Sequence, residues 1–399
     1  MSKVTSSVAS KNVLEYGEFL TDEHHAIREV VRDFADREIA PKAAEVDRNA
    51  RFPEETFKEL GKLDLLGLLV PTEYGGAGAD YRSYTIAVEE IARVCGSTGL
   101  SYAAHCSLGT NPITLFGSEE QKKKYLPKLA RGEYLGCWAL TEPGAGSDAA
   151  NQRTTAVRDG DHWVLNGTKQ FITNATHADV AIIMARTDAS KGKKGISAFI
   201  VEKGTPGFYV SKVEKKMGMR GSPTASLTLD NCRIPAESLL GNEGEGYKGA
   251  LTTLEGGRIS IGTLALGIAQ GALDAAYTYS RQREAFGQPI GDFQLIQAYL
   301  ADMSTMVRAA RLFLYHAAWL KDHGKLTYEN GQAKLYASDI AMKVTNLCIQ
   351  IHGGYGYIED FPAERFLRDA KLCEIGEGTS EIQKLVVAQE IIKRGGQEW

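Results

Sequence analysis

The stretch Glu374-Ile375-Gly376-Glu377-Gly378-Thr379-Ser380-Glu381-Ile382-Gln383 sets one carboxylate, Glu377, between two glycines. Glycine lacks a Cβ, so the backbone there can turn sharply and pass close to another molecule. A carboxylate on such a loop can act as a base where burial raises its proton affinity. A solvated loop glutamate is the plain alternative. Ser380 and Gln383 have the spacing of a helix capping box. Ile382, Leu385, Val386 and Ile392 recur at helical spacing, which predicts a last helix directly after the acid.

Four further stretches could hold a ligand. In Leu140-Thr141-Glu142-Pro143-Gly144-Ala145-Gly146-Ser147-Asp148, residues Gly144, Gly146 and Ser147 let backbone N–H groups face an anion or a carbonyl oxygen; the alternative is a domain-joining loop. Lys169-Gln170-Phe171-Ile172-Thr173-Asn174 reads as a strand, which would put Phe171 and Thr173 on one side. An ordinary half-buried strand would look the same. Arg281-Gln282-Arg283-Glu284-Ala285-Phe286-Gly287 ends a helical run with two arginines that could neutralise a pyrophosphate, or merely form a solvated face. Gln350-Ile351-His352-Gly353-Gly354-Tyr355-Gly356-Tyr357 follows a helical pattern, so its glycines are not a dinucleotide fingerprint. His352 reads as a packed histidine. There is no H-E-x-x-H, P-loop or nucleophile elbow.

The elements that must position these residues follow from periodicity. Thr21 can cap a helix opened by Asp22 and Glu23, with Ile27, Val30, Val31, Phe34 and Ile39 as its apolar stripe and Pro41 disturbing or ending it. Further helices are expected over Glu54–Leu63, Tyr84–Val94 and Ser118–Leu129, with a turn-rich loop at Pro71–Gly78. From about Trp138, short β-branched and aromatic runs alternate with turn residues, which predicts a small antiparallel barrel or sandwich. From about Tyr247, helical spacing returns: Ile259 to Leu273, Leu295 to Leu314, and Ala333 to Gln350 predict three long bundle helices.

Composition narrows the partners. The 46 Lys+Arg against 50 Asp+Glu give a net charge of −4, too mild a balance to mark a nucleic-acid or anionic-membrane surface. The six cysteines lack a C-x-x-C pair, which argues against a disulfide scaffold and a structural zinc site, so no metal is expected. No apolar run reads as long enough to span a bilayer. Met1 to Lys11 reads as a short disordered lead-in to a cytoplasmic, bacterial-type protein, with an organellar presequence and the mitochondrial matrix as the alternative.

Taken together, LTEPGAGSD, KQFITN, REAFG, QIHGGYGY and FLRDAKLCEIGEGTSEIQ, in a helix–strand–helix order, resemble the acyl-CoA dehydrogenase family from about Leu20 to Arg394. The resemblance implies an α+β chain: an N-terminal helical domain over 1–137, a middle antiparallel β-barrel or sandwich domain over 138–246 and a C-terminal four-helix bundle over 247–399. It also implies a homotetramer, a dimer of dimers, with FAD bound between subunits. Residue by residue, Glu377 matches the catalytic base. Some relatives carry that acid one position before Arg258, where this chain has Gly257. Trp138, Leu140, Thr141, Ser147, Phe171, Thr173, Thr379 and Glu381 match flavin-contacting positions, Phe171 standing where tryptophan is commoner. Arg283, Phe286, Gln294, Gln350 and Gly354 match positions that reach a neighbouring subunit's FAD. Ser147, Glu255, Arg258 and Gly378 match positions near the acyl-CoA.

The implied reaction is α,β-dehydrogenation of a short acyl-CoA to the trans-2-enoyl-CoA, with electrons passed to an electron-transferring flavoprotein. An oxidase returning electrons to O₂ and a catalytically silent FAD-binding scaffold are the alternatives. Gly376 stands where many straight-chain relatives have tyrosine, which points to a pocket wide enough for a branched acyl group. The segments Ser101–His105 and Phe366–Lys371 resemble the isovaleryl-CoA branch, yet that branch generally has alanine at the position of Glu377. A butyryl-CoA-type substrate therefore stays open.

Overall fold

A computed structural model describes residues 19–396; the Met1–Lys11 lead-in lies outside them. Helix α1 (Asp22–Phe34) begins at Thr21, whose N–H donates to the His24 ring at 3.0 Å, and carries Asp22 and Glu23 at its positive end. Val31 and Phe34 are buried, but Val30 is exposed, so the stripe is narrower than expected. Pro41 bends the chain without ending it. A π-helical stretch (Ala35–Ile39) and a 3₁₀ turn (Ala40–Lys42) absorb it before α2 (Ala43–Arg48). Then come α3 (Glu54–Lys62), α4 (Tyr81–Val94), α5 (Gly96–Ala103), α6 (Asn111–Phe116) and α7 (Glu119–Ala130). A second π-helical stretch, Ala104–Thr110, joins α5 to α6. Residues 96–116 were not expected to be helical. They are enclosed on nearly every side, so no polar face imposes a period on them.

The middle of the chain forms one eight-stranded sheet from β1 (Gly136–Ala139), β2 (Thr155–Asp159), β3 (His162–Thr173), β4 (Val180–Arg186), β5 (Ile196–Glu202), β6 (Phe208–Val213), β7 (Thr224–Pro235) and β8 (Leu239–Leu240). Its order is β6-β7-β3-β2-β4-β5-β8, with β1 on β4. The sheet is antiparallel except that β1 and β2 pair parallel to β4. β4 is apolar along its length because both its faces are covered: Ala181, Ile183 and Ala185 face one core, and Val180, Ile182 and Met184 another.

α8 (Gly246–Gln282) returns the chain to helix. A two-residue hairpin, β9 (Glu284–Ala285) with β10 (Gln288–Pro289), precedes α9 (Gln294–Asp322), α10 (Glu329–His352), α11 (Ala363–Cys373) and α12 (Ser380–Lys393). One core joins both helical regions, running from Val31, Tyr84 and Leu100 to Ile259, Leu314, Val344 and Phe366. Contrary to the sequence reading, α8 is long and apolar enough to cross a membrane, but most of that window is buried against other helices, as in a core helix. Leu295, Leu312, Leu385 and Ile392, expected on buried stripes, are exposed, and Gln383 is the one buried residue of α12. All six cysteines are buried and free.

Candidate active site

α11 stops at Cys373 and the chain reverses into α12 through a loop in which Glu377 (φ 53°) and Gly378 (φ 93°) are both left-handed. The conformation is easy for glycine but costs a glutamate about 1–2 kcal/mol, so the surroundings must hold it. Thr379, not Ser380, caps α12, accepting the Ile382 N–H at 3.3 Å. The Ser380 N–H donates to the Glu374 carbonyl at 2.9 Å. Gln383, expected in a capping box, turns inward instead, and its Nε2 reaches the carbonyls of Glu377 and Gly378 at 3.4 and 3.2 Å. Lys334 of α10, fully buried, donates to the Gly378 carbonyl at 2.8 Å.

This loop lays the Glu377 carboxylate on α8 at Gly257. A Cβ at residue 257 would stand 1.9 Å from Glu377 Oε2 and 3.5 Å from Leu108 Cδ2. The helix is therefore bare where the acid lies, and an acid could not occupy both positions. Glu377 Oε2 is closed to solvent and has no hydrogen-bond partner among the described residues. Burial pushes the carboxyl up to about 7, and the opposing pull of Lys334 and Arg258 only partly offsets it. Neither cation lies within ion-pair distance of it. Arg258 is held below the usual arginine range by burial, against the pull of Glu255 and Glu377, and its Nε is buried and unpartnered among the described residues. The N–H of Glu377 donates to no group among the described residues.

The strand side of the site is joined to Glu377 through residues 104–110. Gly109 of that stretch meets Gly136 so closely that a Cβ on either would strike the other's backbone, which seats β1 against it. β1 leads into Leu140 and Thr141, and the Gln170 N–H donates to the Thr141 carbonyl at 2.9 Å. The two ligand-binding candidates LTEPGAGSD and KQFITN are thus neighbours. Buried Lys169 fastens them together through the Leu140 carbonyl (3.1 Å), Glu142 (2.8 Å) and Gln152 (2.9 Å). Phe171 does not lie on a regular strand beside Thr173. It sits in a β-bulge with φ 60°, and its ring is largely exposed. The hydroxyls of Thr141, Ser147 and Thr173 have no protein partner among the described residues, and Gly144 and Gly146 face open space. Trp138 lines a cavity of about 110 Å³ with Phe116, Ile182 and Met184. Glu381 is exposed at the start of α12. Glu255 presents its carbonyl to Asn330 at 3.0 Å.

A second group of candidates lies elsewhere. Gln350 is 16 residues beyond Lys334 on α10, about 24 Å at a rise of about 1.5 Å per residue. There Arg283 and Gly354 line a cavity of about 410 Å³ with Tyr279, His352 and Tyr355. Phe286 (φ 51°) is almost wholly exposed, and Gln294 and Gln350 are exposed at their helix ends. His352 is packed as expected, stacked on Tyr279 at 4.3 Å with its ring N–H donating to the Cys348 carbonyl at 2.8 Å.

Sequence reasoning missed Lys334, the inward role of Gln383, and Leu108. A signal existed for Lys334: it shares helical spacing with Ser338, Ala341, Thr345 and Cys348, all buried. A lysine on a buried face needs a partner.

Models of the acyl-CoA dehydrogenase N-terminal, middle and C-terminal domains match residues 21–133, 137–232 and 244–392. The chain is 49% identical over 375 residues to the short-chain specific acyl-CoA dehydrogenase of Clostridium acetobutylicum, covering 94% of this chain and 99% of that protein. A chain in the structure described as the electron transferring flavoprotein of Acidaminococcus fermentans superposes with a TM-score of 0.92 at 47% identity, covering 94% of this chain and 99% of that one. Butyryl-CoA dehydrogenase from Megasphaera elsdenii superposes at 0.91 with 45% identity and the same coverage.

Proposed function

The chain belongs to the acyl-CoA dehydrogenase family, and from that premise we propose how its own residues carry out the reaction. It is a short-chain acyl-CoA dehydrogenase, acting on the Cα–Cβ bond of an acyl-CoA thioester. The α-hydrogen of a thioester is weakly acidic, and a carboxylate in water is too weak a base to remove it quickly. Glu377 meets that need, because burial lifts its carboxyl to about 7 without an ion pair to neutralise it. Its free N–H donates to the thioester oxygen as negative charge develops there. Arg258 and Glu255, on α8 beside Gly257, orient the CoA thioester, with Gly378 and Ser147.

The residues fit FAD. Uncommitted hydroxyls at Thr141, Ser147 and Thr173, open backbone at Gly144 and Gly146, and an uncovered aromatic ring at Phe171 suit a planar, polyhydroxylated, phosphorylated group. FAD, when bound, supplies the acceptor for the β-hydrogen as hydride. Trp138, Leu140, Thr379 and Glu381 complete that wall. Gln350 stands about 24 Å along α10 from Lys334, and Arg283 and Gly354 line the cavity at that end; with Phe286 and Gln294 these residues serve the flavin of a second copy in a homotetramer. Electrons pass on to an electron-transferring flavoprotein, and the enzyme works in the cytoplasm.

The acyl chain is short. Gly376 leaves open space beside the base, with only the Leu372 carbonyl at 3.5 Å from an added Cβ, room that admits a branch as well as a straight butyryl chain. The observation that carries the assignment is the buried, unpartnered Glu377 Oε2 on bare Gly257. Turnover of butyryl-, isobutyryl-, isovaleryl-, 2-methylbutyryl- and octanoyl-CoA with an artificial electron acceptor tests it. Four-carbon and five-carbon substrates are expected to exceed octanoyl-CoA; the reverse order would overturn the short-chain pocket.

A further inference from the structure

Lys334 and Gln383 grip the same peptide, but in different ways. Gln383 is a neutral donor, at 3.4 and 3.2 Å from the Glu377 and Gly378 carbonyls. Lys334 is an ammonium at 2.8 Å from the Gly378 carbonyl, which is its one hydrogen-bond acceptor among the described residues. Taking an ammonium out of water is costly unless its charge has a use or a counter-ion, and no carboxylate lies within ion-pair distance of Lys334. A second neutral side chain could hold a carbonyl as well. What the lysine adds is positive charge, held next to the base yet kept off it by its bond to the following peptide.

We propose that Lys334 is a positioning residue for Glu377: it pins the left-handed Glu377–Gly378 turn through the Gly378 carbonyl, and its uncancelled charge favours the ionised, proton-accepting form of the base. This rests on Glu377 being the base. The charged and titratable groups around Glu377 are Arg258 and Glu255 from α8, Lys334 from α10, Cys373 from α11, and Glu374 and Glu381 from the loop and α12. Cys373 is buried and stays a thiol; of residues 104–110, Leu108 meets Gly257, while His105 is bonded to the Leu129 carbonyl and the Gly136 N–H. Arg258 and Lys334 are thus the two cations, and of these only Lys334 is also bonded to the loop.

The sign of the effect follows. A nearby cation lowers a carboxyl's pKa, so removing it raises the pKa and moves the acid limb of kcat/KM to higher pH. The test compares the flavin-loaded enzymes Lys334→Met, Lys334→Gln, Lys334→Arg and Gln383→Met on butyryl-CoA across the pH range. In Lys334→Met the limb should rise by about half a pH unit or more, so that activity falls about threefold further at acid pH than on the alkaline plateau. Lys334→Arg should return the limb toward wild type, and Gln383→Met should lower kcat with the limb unmoved. Lys334→Gln keeps a donor for the Gly378 carbonyl and guards against misfolding of the methionine variant; its limb should rise equally. An unmoved limb in whichever neutral variant folds, or an equal shift in Gln383→Met, would overturn the proposal. Glu377→Gln, assayed alongside, keeps the two questions apart: full turnover there would remove the base assignment itself, whatever Lys334 does.

Discussion

Two buried lysines lie near glutamates in this molecule, with opposite consequences. At the strand side, Lys169 meets Glu142 directly at 2.8 Å, and the N–H groups of Arg153 and Thr154 add bonds at 2.5 and 2.9 Å. Burial alone would push the Glu142 carboxyl up; Lys169 and the peptide donors outweigh it and hold the carboxyl below the usual range. That pair is saturated and fastens two segments together. At the helical side, Lys334 is drawn to a peptide carbonyl instead of to Glu377, Glu377 Oε2 keeps its lone pairs without a hydrogen-bond partner among the described residues, and burial leaves the carboxyl near 7. The same two residue types give a rivet in one place and the proposed base in the other. Burial is common to both, and the difference lies in whether the acid's hydrogen-bonding capacity is filled.

Breaking each site should therefore damage different properties. The largest effect is expected on turnover in Glu377→Gln, a loss of about 10²–10⁴-fold with flavin still bound, the usual range for a deleted general base. Next, Glu142→Ala leaves Lys169 buried without its partner and should lower stability by about 3–5 kcal/mol in a denaturant melt. A melt unchanged from wild type would mean that the pair is not a rivet. Gly257→Ala puts a methyl 1.9 Å from Glu377 Oε2 and should cut turnover by about 10²-fold through displacement of the acid, with little change in overall fold by circular dichroism. Glu377→Gln should also stabilise the fold at neutral pH, by up to about 3 kcal/mol. Its folded-state pKa is raised, so the unfolded chain gains charge first, near 4.5. The penalty grows up to about pH 7, is constant above, and vanishes below 4.5. Thr379→Ala removes the cap of α12 and should cost about 1 kcal/mol; an unaltered melt would show that the loop is held by Lys334 and Gln383 alone.

The sequence and the structure agree where one face of an element meets water. α1, α3 and α7 have exposed polar faces and acidic first turns, and their periods are legible; α4 kept a legible period although none of its residues is exposed. Residues 96–116 are enclosed on nearly every side, so their helices leave no period, and the stretch that joins the strand side to Glu377 went unread. The strand run was legible from its turns, but the Phe171 bulge was not, because nothing in KQFITN marks a φ of 60°. Glu377 could be singled out from its motif, yet its chemistry depends on Gly257, Lys334 and Leu108, brought to it from three other elements. Gln383 shows the same limit at close range: its spacing from Ser380 suggests a cap, and only the packing of α12 turns it toward the loop's carbonyls. Leu385 and Ile392 follow a helical stripe that this chain leaves exposed, so their spacing marked the helix but not a buried face.

The measurement that bears most directly on the contrast between the two glutamates is the pH dependence of kcat/KM for butyryl-CoA with the flavin-loaded enzyme and an artificial acceptor. A base left unpaired by its fold predicts a rate that rises with pH, is half-maximal at about 7 and levels off above. A profile already flat at pH 6, falling only in the range of an ordinary carboxylate, would show that Glu377 is as well satisfied as Glu142 and contradict the account.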